Sequence, residues 1–317
     1  MLAADRPPLA FKSGATLPVV DWKAMRALQP PTVDKVALEA FWTGLARDWL
    51  EALRAALGPR YAIQESGHFL MLAPLEDSRT KVTLDFAERA RKGILEILDG
   101  VAAGNFSGKV CLLVFEDEDR YYQYISNYYD KDGEYALSGG MFLQQGYGHF
   151  VFVQDEMASM EPTIVHELTH CLLQHLPLPA WLNEGTAVNT ERRICPPAGR
   201  PLYTPEEMQA RHVKFWNEST IQEFWSGKSW LRPDEANELS YDLARNFALL
   251  ACEDFDAFRA FANVADAADA GNAAAVKHLG YPVARLAEAV LGEGPWDPDP
   301  DSWKDGVERG QFGERIL

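Results

Sequence analysis

The stretch Thr163-Ile164-Val165-His166-Glu167-Leu168-Thr169-His170-Cys171-Leu172-Leu173 reads as a core helix carrying a site. Two histidines four apart leave a helix from one face, so their imidazoles can grip one metal ion together, with the carboxylate of Glu167 beside it. Neutral imidazoles suit Zn²⁺, and the carboxylate is placed to take a proton from an attacking water. Leu168, Thr169, Cys171, Leu172 and Leu173 supply the buried remainder, and Pro162 suits the first turn, where no N–H is needed.

A helix can also keep two histidines as core or surface groups, and the residues downstream argue against that here. After a break at Pro177 and Pro179 comes Trp181-Leu182-Asn183-Glu184-Gly185-Thr186-Ala187-Val188-Asn189-Thr190, a second helical pattern with a carboxylate near its start. Structural zinc sites are closed by four protein ligands, whereas catalytic sites have three and keep a position for water. His166, His170 and Glu184 make three. Other donors compete poorly. Cys111, Cys171, Cys195 and Cys252 are far apart with no C-x-x-C, and His175 falls one residue off the register of a metzincin third ligand, that position being Leu176.

A helix, a short proline-containing turn and then Trp-Leu-Asn-Glu-Gly-x-Ala resemble the gluzincin metallopeptidases, and most of all their peptidase MA-like group. The resemblance runs from residue 110 to residue 292. It implies one zinc ion per chain on His166, His170 and Glu184, with Glu167 as general base. It also implies that Tyr241, in Ser240-Tyr241-Asp242-Leu243-Ala244-Arg245, reaches toward the metal and donates to the developing oxyanion. Arg245, one turn on, is placed either for a substrate carboxylate or for an ion pair with one of the chain's many acids. An edge strand borders the cleft in such proteins and can pair with an extended peptide, and here that strand is either Gly140 to Leu143 or Phe150 to Val153. One departure stands out: where thermolysin-type relatives orient a histidine with an aspartate four residues after the glutamate ligand, this chain has Val188.

The expected function is therefore zinc-dependent hydrolysis of peptide bonds, with a peptide or polypeptide as partner. Two alternatives stay open: a catalytically silent binding protein on the same fold, and a zinc amidase acting on a non-peptide amide. A net charge of −17 argues against nucleic acid and anionic membrane surfaces as partners. The acids are spread along the chain, as a solvating surface or as a cleft that prefers cationic substrates. No apolar run approaches the roughly 18 residues of a membrane span. The start, Met1 to Pro8, has no basic region followed by an apolar one, so the chain is expected in the cytoplasm. Nothing in the sequence fixes an oligomeric state.

The 317 residues, 47% of them apolar, can build one large or two ordinary domains. The fold class expected is α+β: a small mixed sheet with an edge strand beside a zinc-binding helix pair, followed by a mostly helical second half. Residues 1–32, rich in proline, read as an extended arm, 33–104 as an α+β segment, 105–292 as the metallopeptidase-like domain and 293–317 as an irregular tail. Helical spacing predicts helices over 33–57 and 81–98, with a strand pair or a bent strand over 61–72 broken at Gly67. A buried strand over 110–115, a helix over 117–129 and strands over 138–143 and 149–153 follow. Thr204-Pro205-Glu206-Glu207 has the form of a capping box, and further helices are expected over 237–252, 255–264, 270–279 and 282–291. Trp216, Phe224, Trp225 and Trp230 supply either core or an apolar pocket.

Overall fold

The computed structural model of the chain describes residues 6–31, 34–104, 106–128, 140–143 and 146–303. The end of the expected 117–129 helix at Tyr129, positions 138 and 139 and the tail beyond 303 lie outside them. Among the described residues, 6–92 and 104–167 form one compact unit, and 93–103 and 168–303 a second.

The first unit is built on a five-stranded mixed sheet. Its elements in chain order are α1 (Trp22–Ala27), α2 (Lys35–Leu57), β1 (Ala62–Glu65), β2 (Phe69–Ala73), α3 (Asp77–Ile97), β3 (Val110–Phe115), α4 (Glu118–Ile125), β4 (Gly140–Leu143), β5 (His149–Val153) and α5 (Met157–Leu173). Helices α3 and α5 end in the second unit. The strand order is β1-β2-β3-β5-β4; β2, β3 and β5 run parallel, and β1 and β4 are antiparallel at the two edges. The unbroken apolar run of β3 is buried throughout, as a strand with parallel neighbours on both sides requires. On one face of the sheet Leu70, Leu72, Cys111, Leu113 and Val151 meet Phe41, Leu45, Trp49 and Leu53 of α2 in a single core.

Two sequence expectations need correction here. The N-terminal arm is not wholly extended, because α1 forms within it. The Asp21 carboxylate accepts the Ala24 N–H at 3.0 Å, and the six helical residues lie between Pro18 and Pro30, so no proline interrupts them. Arg6 pairs with Asp48 at 2.9 Å, and the Trp49 indole donates to the Pro18 carbonyl at 3.1 Å, which clamps the arm onto α2. Pro162 is not in a first turn either, since α5 begins five residues earlier at Met157. An interior proline removes one helical donor, and α5 continues through it.

His149 on β5 is fully buried among aromatic rings. The Tyr147 carbonyl can only accept, so Nδ1 carries the proton and donates to it at 2.7 Å. Nε2 then accepts from the Tyr124 hydroxyl at 2.7 Å, and Tyr124 in turn meets the Tyr128 hydroxyl at 2.9 Å. Burial outweighs the carbonyl contact and pushes His149 down to about 4.

The second unit is helical: α6 (Ala180–Ile194), α7 (Pro205–Phe215), α8 (Thr220–Trp225), a 3₁₀ turn (Lys228–Leu231), α9 (Glu235–Ala251), α10 (Phe255–Ala262), α11 (Asn272–His278) and α12 (Ala284–Leu291). The expected capping box opens α7, with Thr204 Oγ1 and the Glu207 carboxylate each taking the other's backbone N–H. Trp181 is the hub of the core: its indole donates to the Ala270 carbonyl at 3.0 Å, and its ring packs on Trp225, Phe247 and Phe261. Trp216, Phe224, Trp225 and Trp230 are all buried, which places them in this core. Among the described residues no helix is long and apolar enough to cross a membrane.

The His149 network gives a pH signature. An unfolded histidine titrates near 6.5, so below that pH the unfolded chain takes up a proton that the folded chain refuses. The stabilisation is therefore complete above about pH 6.5 and is lost as pH falls toward 4, amounting to about 3 kcal/mol over that window. Urea unfolding at pH 7 and pH 4.5 should show a steeper loss in the parent than in His149→Gln; equal losses would mean that the ring is not held neutral.

Candidate metal centre

Helical geometry aligns Ser159, Thr163, His166, Glu167 and His170 along one stripe of α5. The ligand atoms of His166, His170 and Glu184 all lie within 4.8 Å of one another, and this His-His-Glu group could hold a metal ion. His170 Nε2 and Glu184 Oε2 are 3.4 Å apart. Two ligands at 2.0–2.1 Å from one tetrahedral ion stand roughly 3.4 Å from each other, so this pair already has the spacing of a ligand edge. Glu184 is 6% exposed, and a carboxylate in such a place needs positive charge nearby. Two imidazoles and a buried carboxylate form a donor set suited to a borderline divalent cation.

Gly185, the next residue, explains why the second motif contains a glycine. A Cβ there would stand 2.1 Å from the backbone oxygen of Ala244 and 2.9 Å from Ala248 Cβ, so only glycine lets α6 lie this close to α9. One turn on, Asn189 Nδ2 donates to the Arg245 carbonyl at 2.9 Å and fixes the two helices a second time.

Glu167 does not point at random. Its Oε2 accepts the backbone N–H of Phe142 on β4 at 2.8 Å. Of the two strands that sequence leaves open as the edge, β4 is the outer one, while β5 lies between β3 and β4. Because the Phe142 N–H is turned to Glu167, Phe142 and Phe150 form a non-hydrogen-bonded pair of the β4–β5 ladder. Gly140 opposite Phe152 is the next such pair. A Cβ on Gly140 would meet Phe152 Cδ1 at 2.4 Å and Thr163 Cγ2 at 2.9 Å, so the start of β4 is pressed against both. Phe152 and Thr163 also line a cavity of about 380 Å³ together with Tyr122, Asp155, Ser159 and Met160.

The remaining candidates are placed as follows. Tyr241, half-buried on α9, sets its ring edge-on to Trp230 with centroids 6.3 Å apart. Arg245 is committed to an ion pair with Asp242 at 3.3 Å and to the Asn246 side chain at 2.8 Å. His175 is exposed, just past the end of α5, and outside the His-His-Glu group. Sequence reasoning missed two partners. His212 on α7 is buried; its Nδ1 accepts the Trp216 indole N–H at 2.9 Å, so Nε2 donates to Asp242 at 3.0 Å. Burial works to raise the Asp242 carboxyl, but the His212 hydrogen bond and the charge of Arg245 outweigh it and hold it below the usual carboxylate range. The other is the Phe142 N–H, for which no sequence signal exists, since every residue but proline carries that group.

Metal titration tests the group directly. The parent should bind one divalent ion per chain, and Glu184→Ala or His170→Ala should lower the affinity strongly. Full occupancy in Glu184→Ala would remove that residue from the ligand set. No protein-family model matches the chain, and no curated protein matches it.

Proposed function

We propose that this chain is a zinc-dependent metallohydrolase of the gluzincin type that cleaves peptide bonds. The observation that carries the reading is the convergence of His166, His170 and Glu184, with Glu167 next in line on the same helix and fixed to an edge strand. When bound, zinc supplies Lewis acidity and makes water nucleophilic at neutral pH. The chain's own residues do the rest. Glu167 takes the proton of the attacking water and returns it to the leaving amine, so one carboxylate serves both halves of the reaction. Strand β4 offers the outward backbone groups of Gly140 to an extended substrate, and the cavity lined by Phe152 and Thr163 has room for a side chain. Tyr241 is the donor proposed for the oxyanion, its ring plane set by Trp230.

Two substitutions test the roles on a peptide that the parent cleaves, with zinc measured in every form. Glu167→Gln keeps size and hydrogen-bonding shape but loses the basic carboxylate. It should retain zinc and slow turnover by about 10² to 10⁴, or roughly 3 to 5 kcal/mol. Cleavage within about twofold of the parent would rule out the general-base role. Tyr241→Phe should retain zinc and lower kcat by about 10² to 10³; an unchanged kcat would take the Tyr241 hydroxyl out of the mechanism. A zinc-loaded parent that cleaves nothing across broad peptide libraries would count against the peptidase reading itself, and parallel cleavage of simple amides would favour an amidase.

A further inference from the structure

From the contact between Phe142 and Glu167 we infer that a backbone group positions the general base: the Phe142 N–H fixes the Glu167 carboxylate, and an incoming peptide must therefore pair with β4 at Gly140 instead. Three rotatable bonds separate a glutamate carboxylate from its helix, so membership of the His-Glu-x-x-His motif places Glu167 near the ion without aiming it. The aim comes from β4. In an antiparallel ladder the N–H and C=O of one residue point the same way, and at Phe142 both face away from β5. That outward N–H is the kind of donor that an edge strand offers to a partner chain. Glu167 takes it at 2.8 Å and so acts as the side-chain substitute for a sixth strand at this one position. Gly140, two residues back, turns its own N–H and C=O outward by the same alternation, next to the cavity that Phe152 and Thr163 line. Strand pairing and base positioning are thus divided between neighbouring outward residues of one short strand.

The assignment of the Phe142 N–H to Glu167 stands apart from the hydrolase reading, on which the pairing of a peptide at Gly140 and the kinetic arm of the test both rest. Phe142→Pro deletes the N–H, and an edge strand tolerates proline where the lost N–H faces away from its neighbour. Phe142→Ala keeps the N–H and removes the ring, so it reports any packing effect. On one fluorogenic peptide cleaved by the parent, Phe142→Pro should lower kcat by about 10²-fold, the scale of a misplacement near 1 Å. Its KM should stay within about threefold of the parent, and Phe142→Ala should keep most of kcat. A raised KM with kcat unchanged would show that the substrate, and not Glu167, uses this N–H, and would overturn the inference; so would equal behaviour of the two variants. Amide exchange gives a readout that needs no turnover and no proline. The Phe142 N–H should exchange roughly 10- to 100-fold faster in Glu167→Ala than in the parent, while the Leu143 N–H changes little. Unchanged exchange at Phe142 would also overturn it. If exchange responds but the zinc-loaded parent cleaves no peptide, the contact stands and the peptidase reading fails separately.

Discussion

The closeness of α6 to α9 governs the helical unit. With no side chain at Gly185, the Ala244 carbonyl fills the space that a Cβ would need, and helix axes can approach only as far as the side chains between them allow. Everything that α6 carries inherits this constraint. Trp181 enters the aromatic core one turn before Gly185, and Asn189 reaches the α9 backbone one turn after it. Glu184, immediately before the glycine, is held on a helix that cannot roll without forcing two backbones together. A carboxylate aimed by a whole helix packing differs from one on a loop, because its position costs the side chain little entropy beyond its own rotamers.

Legibility in the sequence followed periodicity. Helix α2, the break at Gly67 between β1 and β2, the buried run of β3 and the capping box at Thr204 all announce themselves within a few residues. The pairing of His166 with His170 was legible for the same reason, since four along a helix is a fixed geometry. What escaped notice lacked a local signal. Helix α1 is six residues long in a stretch punctuated by proline, and α8 with its following 3₁₀ turn is equally short. Which strand lies at the edge is a matter of order in space and not in sequence. The partners of Glu167 and Asp242 come from 25 and 30 residues away, and one of them is a backbone group with no residue identity at all.

Part of the acidic balance of the chain has a structural explanation. Asp21, Asp34, Asp117, Asp234, Asp254 and Asp266 each accept a backbone N–H at the start of a helix or 3₁₀ turn. Glu118, Asp119, Glu206, Glu207, Glu235 and Glu238 lie in first turns, where a negative charge opposes the positive end of the helix dipole. A chain made of many short helices has many N-termini, and carboxylates are the side chains that suit them. Others, such as Glu223 beside Arg232 and Glu51 beside Arg54, lie in surface ion pairs whose individual contribution is small.

The hydrogen bonds of two buried imidazoles outside the His-His-Glu group bear on where a divalent ion goes. Any accessible histidine nitrogen is a competitor for the same cation. His149 has both ring nitrogens engaged, by Tyr147 and Tyr124, and His212 has both engaged, by Trp216 and Asp242. At both places a metal would have to enter a packed interior and break a hydrogen bond before it gained a ligand. Discrimination among sites within one molecule is in this way written partly into residues that never touch the ion: they lower the affinity of the wrong places and leave the His-His-Glu group the better trap.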